Sequence, residues 1–181
     1  LKQGSCGQAA LHQEVRINSS DAVNVPGEIL TKGPNVLLGY YKNEEDTGQT
    51  IDKDGWFHTG DLGLMDEDGN VFIKGRSKNM LLGSNGQNIY PEEIEDKLNS
   101  LPLVSECLVI QSGEKLIALV HPDYDEAQNL GLNADDLKNI MEENRTQLNT
   151  IVPAYCKVAE IRIQEEEFEK TPKKSIKRFL Y

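Results

Sequence analysis

The chain has 181 residues, 38% hydrophobic and 27% charged, with 30 Asp and Glu against 19 Lys and Arg for a formal charge of −11. That length holds one ordinary domain, or a small domain with part of another. The acid excess, with a pI near 4.7, excludes the basic footprint of a nucleic acid binder, and apolar runs such as Leu116–Val120 are far too short to span a bilayer.

Cys6, Cys107 and Cys156 are odd in number and far apart, which gives neither a metal-ligand spacing nor a disulfide framework. Reduced thiols in a cytoplasmic protein are the expectation. No signal peptide pattern is visible, and a first residue of Leu suits a fragment.

Residues 1–77 read as strands and turns with no long helix. Glu14-Val15-Arg16-Ile17 alternates polar and apolar, as Gly27-Glu28-Ile29-Leu30 does in part. Turns are expected at Pro26-Gly27 and Gly33-Pro34. Asp66-Glu67-Asp68-Gly69-Asn70 separates Leu62–Met65 from Val71–Lys74 and predicts a hairpin with a loop longer than two residues. Gly75–Lys78 reads as a basic turn after that second strand, and Met80-Leu81-Leu82 as an apolar run paired in a sheet. Gly83–Asn88 is a polar, glycine-bearing loop with exposed backbone donors. The missing side chain at Gly83 and Gly86 would let a thin ligand pass close to the backbone.

Residues 78–181 read as a compact α+β unit. Tyr90-Pro91-Glu92-Glu93 opens a helix, with proline at its first position and acids in its first turn. Ile94, Leu98 and Leu101 mark its inner face. Val104–Gln111 and Lys115–His121 predict a hairpin around Ser112-Gly113-Glu114. Asn133 is expected to cap a helix towards Ile151, with Leu137, Ile140, Met141 and Leu148 inward and Pro153 beyond its end. Val158–Ile163 alternates as a strand, and Glu165-Glu166-Glu167 reads as a solvated bend.

Trp56-Phe57-His58-Thr59-Gly60-Asp61 is the first candidate site. One ionised carboxylate can accept both neighbouring hydroxyls of a ribose, but Thr-Gly-Asp alone reads first as a turn stabilised by the Asp61 side chain. His58 reads as a surface-turn histidine with no assigned role. The rigid donor fork of Arg76 suits ribose oxygens and phosphate, or a surface ion pair. The tail Lys170–Arg178 is basic, which fits a solvated end or an anion contact.

These stretches resemble the adenylate-forming superfamily of acyl-CoA synthetases, peptide-synthetase adenylation domains and luciferases. Its G-R-x-[KD], apolar run, glycine loop and P-x-E-I-E pattern is matched by Gly75–Glu95. Its G-E-[IL] to G-Y pattern is matched by Gly27–Tyr40, and its K-T-x-x-[GR]-K-[IV]-x-R tail by Lys170–Arg178. Within the superfamily the likeness is to long-chain fatty acid–CoA ligases.

The resemblance implies an α+β fold, with residues 1–77 the end of a large AMP-binding N-terminal domain and 78–181 a mobile C-terminal domain. It implies ATP, Mg2+ and CoA as substrates and metal of the complete enzyme. Asp61 and Arg76 would bind the nucleotide, Lys78 would be the hinge, and Gly83, Ser84, Asn85 and Gly86 would border the CoA arm. The tail departs from the pattern, because registering Thr171, Ile176 and Arg178 places Ser175 on the family's adenylation lysine. Lys174 is then the candidate to supply that charge, with Lys177 the alternative.

The family's phosphate loop and its Thr-Glu magnesium motif are absent, so no metal ligand is expected in this stretch and the stretch alone should not turn over. The large N-terminal domain would be supplied by the same chain, and peripheral membrane association of the complete enzyme is left open. An acyl-AMP ligase loading a carrier protein, and a non-catalytic domain retaining the fold, are the other readings.

Overall fold

Alternating strands pair in sequence order to build the first unit of the chain, which ends at Asn79; Met80–Tyr181 forms the second. The computed structural model describes residues 2–181. In the first unit β1 (Glu14–Asn18), β2 (Gly27–Lys32), β3 (Phe57–Met65) and β4 (Val71–Arg76) make one antiparallel sheet in the order β1-β2-β3-β4. One face buries Ile17, Ile29 and Val71, with Val15, Ala22 and Met65 packed against them.

The β3–β4 hairpin closes as its sequence predicts. Asp66 accepts the N–H groups of Asp68 at 3.1 Å and Asn70 at 2.8 Å, and pairs with Lys2 at 2.7 Å. The Lys2 contact is the chief reason that its carboxyl is lowered to about 2. Two features differ from expectation. A short helix α1 (Glu44–Thr50) precedes β3, capped by Asn43 through the Asp46 N–H at 3.1 Å, and it buries no residue. The strand β4 extends through Arg76, so the turn after it is a 3-10 turn at Ser77–Asn79.

The second unit starts with a two-stranded ribbon, β5 (Leu81–Leu82) and β6 (Asn88–Ile89), around the polar loop. Next come α2 (Pro91–Asn99), β7 (Val104–Ser112), β8 (Lys115–Pro122), α3 (Tyr124–Asn129), α4 (Ala134–Ile151) and β9 (Val158–Ile163). β7 and β8 form the predicted antiparallel hairpin, while β9 joins β8 in parallel. A parallel neighbour needs a crossover, and α3 with α4 provides it. The fold is α+β with a mixed sheet, as the resemblance implies.

Pro91 starts α2 at its first position, and Asn133 with Asp136 forms a full capping box on α4. Ile94 and Leu98 of α2 and Met141 and Leu148 of α4 share a core with Cys107, Val109, Ala118, Val120 and Val158 of the sheet. Leu98 and Leu148 are fully buried, each contributing about 2 kcal/mol of apolar transfer. α4 also buries Asn144, which donates to the Pro102 carbonyl at 2.8 Å and so is satisfied. α3 went unread because its six residues carry no apolar stripe; Asp123 caps it through the Glu126 N–H at 2.9 Å. Among the described residues the three cysteines are free, Cys107 and Cys156 buried and Cys6 exposed. No helix there is long and apolar enough to cross a membrane.

Candidate functional site

The Thr59-Gly60-Asp61 stretch is a bulge in β3. His58 lies opposite Leu30 and Leu62 opposite Glu28, so one intervening residue of β2 faces three of β3. Bulges of this kind re-aim side chains and recur beside active sites. Glu28 holds this one, its Oε1 accepting the Gly60 N–H at 3.1 Å and its Oε2 meeting His58 Nδ1 at 2.8 Å. Thr59 Oγ1 donates to the Ile29 carbonyl at 2.8 Å and accepts the Asp61 N–H at 3.0 Å. His58 is therefore a half-buried, carboxylate-bound strand residue, which corrects its reading as a surface-turn histidine.

Asp61 and Arg76 are direct partners across β3 and β4. Arg76 Nε sits 2.9 Å from Asp61 Oδ1 and Arg76 Nη1 donates to the Thr59 carbonyl at 3.1 Å. The turn amides go to Glu28 and Thr59, so the Asp61 carboxylate is not used to close the turn. Its side chain is 29% exposed. One oxygen is fixed by Arg76 and the other is left to accept a ligand's hydroxyls, which fits a ribose. Glu28 and Thr59 stand inside stretches that the sequence singles out, but sequence reading gave neither a role, because their contacts arise from the β2–β3 register. The one available signal was Glu28 beside a glycine at the strand start.

Lys78 sits in the 3-10 turn at Ser77–Asn79, one residue before the last of its unit. In the second unit Gly83, Ser84, Asn85 and Gly86 make one tight turn, closed by Gly83 N–H to Gln87 O and Gly86 N–H to Gly83 O, both at 2.8 Å. The structure gives the two glycines different reasons. A Cβ on Gly83 would come within 2.9 Å of Asn85 Oδ1 and 3.2 Å of Gln87 O, so the loop itself fills the space expected for a ligand. Gly86 has open space but a φ of +78°, which L side chains rarely adopt.

The tail forms a small hairpin in which Lys170 bridges Ile176 and Lys174 N–H donates to Thr171 O at 2.8 Å. Lys174 stands at its tip, exposed, with φ 61°. Lys177 is held by Glu169 Oε2 at 2.8 Å, and Lys170 by Glu106 Oε1 at 2.7 Å. Arg178 anchors the far end. It pairs with the buried Glu95 of α2 and also reaches the Val109 carbonyl. Glu95 Oε1 accepts the Val109 N–H at 2.6 Å. Burial pushes the Glu95 carboxyl above its ordinary range, with Arg178 opposing. Glu95 lies on the buried face of α2 with Pro91, Ile94 and Leu98, a carboxylate inside the face that sequence reading marked by Ile94, Leu98 and Leu101 alone.

Among the described residues no group of three His, Cys, Asp or Glu side chains is arranged to hold a metal.

Comparison with known proteins places the chain in a family. The chain is 44% identical over 117 residues to the 2-succinylbenzoate–CoA ligase of Bacillus cytotoxicus, covering 63% of this chain and 24% of that protein. It is 42% identical over 130 residues to the indoleacetate–CoA ligase of Aromatoleum aromaticum, covering 67% and 25%. The chain thus spans about a quarter of the length of these relatives. The crystal structure of an anthranilate CoA ligase in complex with anthranoyl-AMP matches with a TM-score of 0.82 at 25% identity, over 99% of this chain and 34% of that one. The O-succinylbenzoate coenzyme A synthetase of Bacillus subtilis in complex with AMP matches at 0.74 and 26%, over 98% and 35%. Residues 78–180 match the model of the AMP-binding enzyme C-terminal domain, and the chain belongs to that family of AMP-binding enzymes.

Proposed function

We propose that this chain is the C-terminal portion of an ATP-dependent, AMP-forming acid–thiol ligase. In that reading the full-length enzyme joins a carboxylate to AMP, releases pyrophosphate, and passes the acyl group to the thiol of CoA. The Asp61–Arg76 pair carries the reading, because it offers a ribose one carboxylate oxygen while the other is held in place. Relatives named as CoA ligases across the matched region support the acceptor.

Each residue has a role that follows from its chemistry. Asp61 accepts the ribose hydroxyls and Arg76 fixes Asp61 while adding positive charge near the nucleotide. Lys78 absorbs the backbone rotation by which the C-terminal domain exchanges one half-reaction for the other. The Gly83–Gly86 turn borders the pantetheine arm of CoA. Lys174, at the hairpin tip, supplies the ammonium that holds carboxylate and nucleotide phosphate together during attack. Lys177 is the alternative, at the cost of its Glu169 ion pair. Bound Mg2+ would neutralise phosphate charge, and no residue described here is assigned to hold it.

The acyl group proposed first is a long-chain fatty acid, supported by the Gly83–Pro91 loop and the Ile176–Leu180 ending. Aromatic carboxylates are the second reading, favoured by the names and identities of the relatives. The test supplies the full-length enzyme with ATP, Mg2+, CoA and a panel of graded fatty acids, 2-succinylbenzoate and indoleacetate. Matched thiol loss and AMP release establish the ligase, and the best acid names its substrate. Acyl-AMP accumulating with the thiol untouched points to a carrier-protein acceptor. No AMP from any acid favours a non-catalytic domain.

A further inference from the structure

We infer that Glu28 is a positioning residue for nucleotide recognition: it locks the bulge that aims Asp61 and so sets the preference for ribose over deoxyribose. The inference rests on the Asp61–ribose reading above and adds to it a residue from a different strand.

Strand pairing alone leaves this bulge underdetermined. β2 pairs with β3 at Glu28–Leu62 and again at Leu30–His58, and the register slips between them. The extra residues of a bulge fall outside the ladder, so the Gly60 N–H turns to a side chain. Glu28 Oε1 accepts it at 3.1 Å. Gly60 holds φ +71°, in the left-handed region that glycine enters most cheaply. A Cβ there would meet nothing nearer than Arg76 Nη1 at 3.7 Å, so torsion and not space calls for this glycine.

Asp61 follows directly, and the direction of its side chain depends on the Gly60 torsions. Two other contacts act on Asp61 itself. Thr59 Oγ1 accepts its N–H at 3.0 Å, and Arg76 Nε holds Oδ1 at 2.9 Å. Both act beyond the left-handed step, whereas Glu28 acts at it. Glu28 is in turn held from the far side. Its Oε2 meets His58 Nδ1 at 2.8 Å, and His58 Nε2 faces Asp52 Oδ2 at 3.9 Å. Asp52 is fixed by the Trp56 N–H at 2.9 Å. The Glu28 side chain is only 25% exposed, so removing its carboxylate leaves the Gly60 N–H short of an acceptor.

The consequence for specificity is geometric. A ribose brings two neighbouring hydroxyls to the free oxygen of Asp61, and a 2′-deoxyribose brings one. A site built to bond a hydroxyl rejects the analogue that lacks it, provided the carboxylate points at it. Glu28 acts through Asp61, so its loss shows as lost discrimination and not as a general loss of rate.

The experiment compares full-length parent enzyme with Glu28→Ala, Glu28→Gln and the exposed control Glu67→Ala. The quantity read is the ratio of kcat/KM for ATP to that for 2′-deoxy-ATP, taken on one preparation so that any unfolded fraction cancels. The parent should favour ATP by more than tenfold. Glu28→Ala should cut the ratio by about tenfold, the size of one hydrogen bond to a charged group. Glu28→Gln should keep it within a few fold, because its amide oxygen accepts the Gly60 N–H and its NH₂ donates to His58 in the other tautomer. Glu67→Ala should leave it unchanged. If Glu28→Ala yields too little folded protein, Glu28→Asp replaces it. Its shorter arm cannot span Gly60 and His58 together, so its ratio should fall as well. An unaltered ratio in the Glu28 variants, with both nucleotides slowed alike, overturns the inference and makes Glu28 a structural residue only. A parent indifferent to the 2′-hydroxyl overturns the Asp61–ribose reading and this inference with it. If no acid yields acyl-AMP, calorimetric titration with AMP and 2′-deoxy-AMP supplies the same ratio. Discrimination in the parent that Glu28→Ala lacks then upholds the role of Glu28, and equal discrimination in both removes it.

Discussion

Lys174 holds a backbone conformation, φ 61°, that glycine adopts most cheaply. A lysine there costs about 1 kcal/mol in local backbone strain, and retaining it at a hairpin tip is explained if the ammonium is needed. Ser175, next in the chain, has a hydroxyl and no charge to offer. The two roles separate in one variant. Lys174→Gly should leave the fold as stable or up to about 1 kcal/mol more stable, since it relieves the strain. It should also slow adenylation in the full-length enzyme by about a hundredfold, the scale of one lost charge-stabilising donor. Thioester formation from supplied acyl-adenylate should stay within a few fold. Equal adenylation rates in parent and Lys174→Gly would move the role to Lys177, whose release from Glu169 would then be part of the step.

At the scale of elements, the tail hairpin is fixed to α2 and β7 through the Arg178–Glu95 pair, and its energetics are asymmetric. Because burial raises the Glu95 carboxyl from 4.5, the folded protein takes up a proton there more readily than the unfolded chain. Stability contributed by this group is therefore full at low pH and declines as pH rises from 4.5 through the folded value. Glu95→Gln should be within about 1 kcal/mol of the parent at pH 7 and should flatten that decline. It keeps an acceptor for the Val109 N–H and removes the charge that burial disfavours. Arg178→Met leaves the carboxylate buried without its cation and should cost about 3 kcal/mol at pH 7, recovering as pH falls and Glu95 takes up its proton. Denaturant unfolding of the three proteins between pH 4.5 and 8 checks both. A larger loss in Glu95→Gln than in Arg178→Met would reverse the argument.

The same elements mark where sequence stops being informative. β1, the β3–β4 and β7–β8 hairpins, α2, α4 and β9 were legible because alternation or a 3.6-residue stripe repeats over enough residues. α1 and α3 were not, since six or seven mostly polar residues with a side-chain cap carry no stripe. Asp61 was visible as chemistry, but the bulge that aims it is a property of pairing with β2. No residue of β3 reports the missing register step. Neither Glu95, a carboxylate inside an apolar helix face, nor its partner 83 positions away was read from the sequence.

For the whole molecule, the boundary after Asn79 was approached through the motif around Lys78, because composition changes little there. A two-state enzyme needs a place where backbone torsion changes while both packed units keep their cores. The 3-10 turn at Ser77–Asn79 has no buried residue to resist such a change. Lys78→Pro sets φ at this position near −65° and pushes Ser77 out of helical torsions. If Lys78 is the hinge, the variant can occupy one backbone state and not the other. Adenylation and thioester formation, each measured separately in the full-length enzyme, should then diverge by at least tenfold. Lys78→Gly, which leaves both torsions accessible, should keep the two rates within a few fold of the parent. Equal slowing of both half-reactions by Lys78→Pro, accompanied by a lower Tm, would make the turn a structural joint and send the search for the hinge to its neighbours.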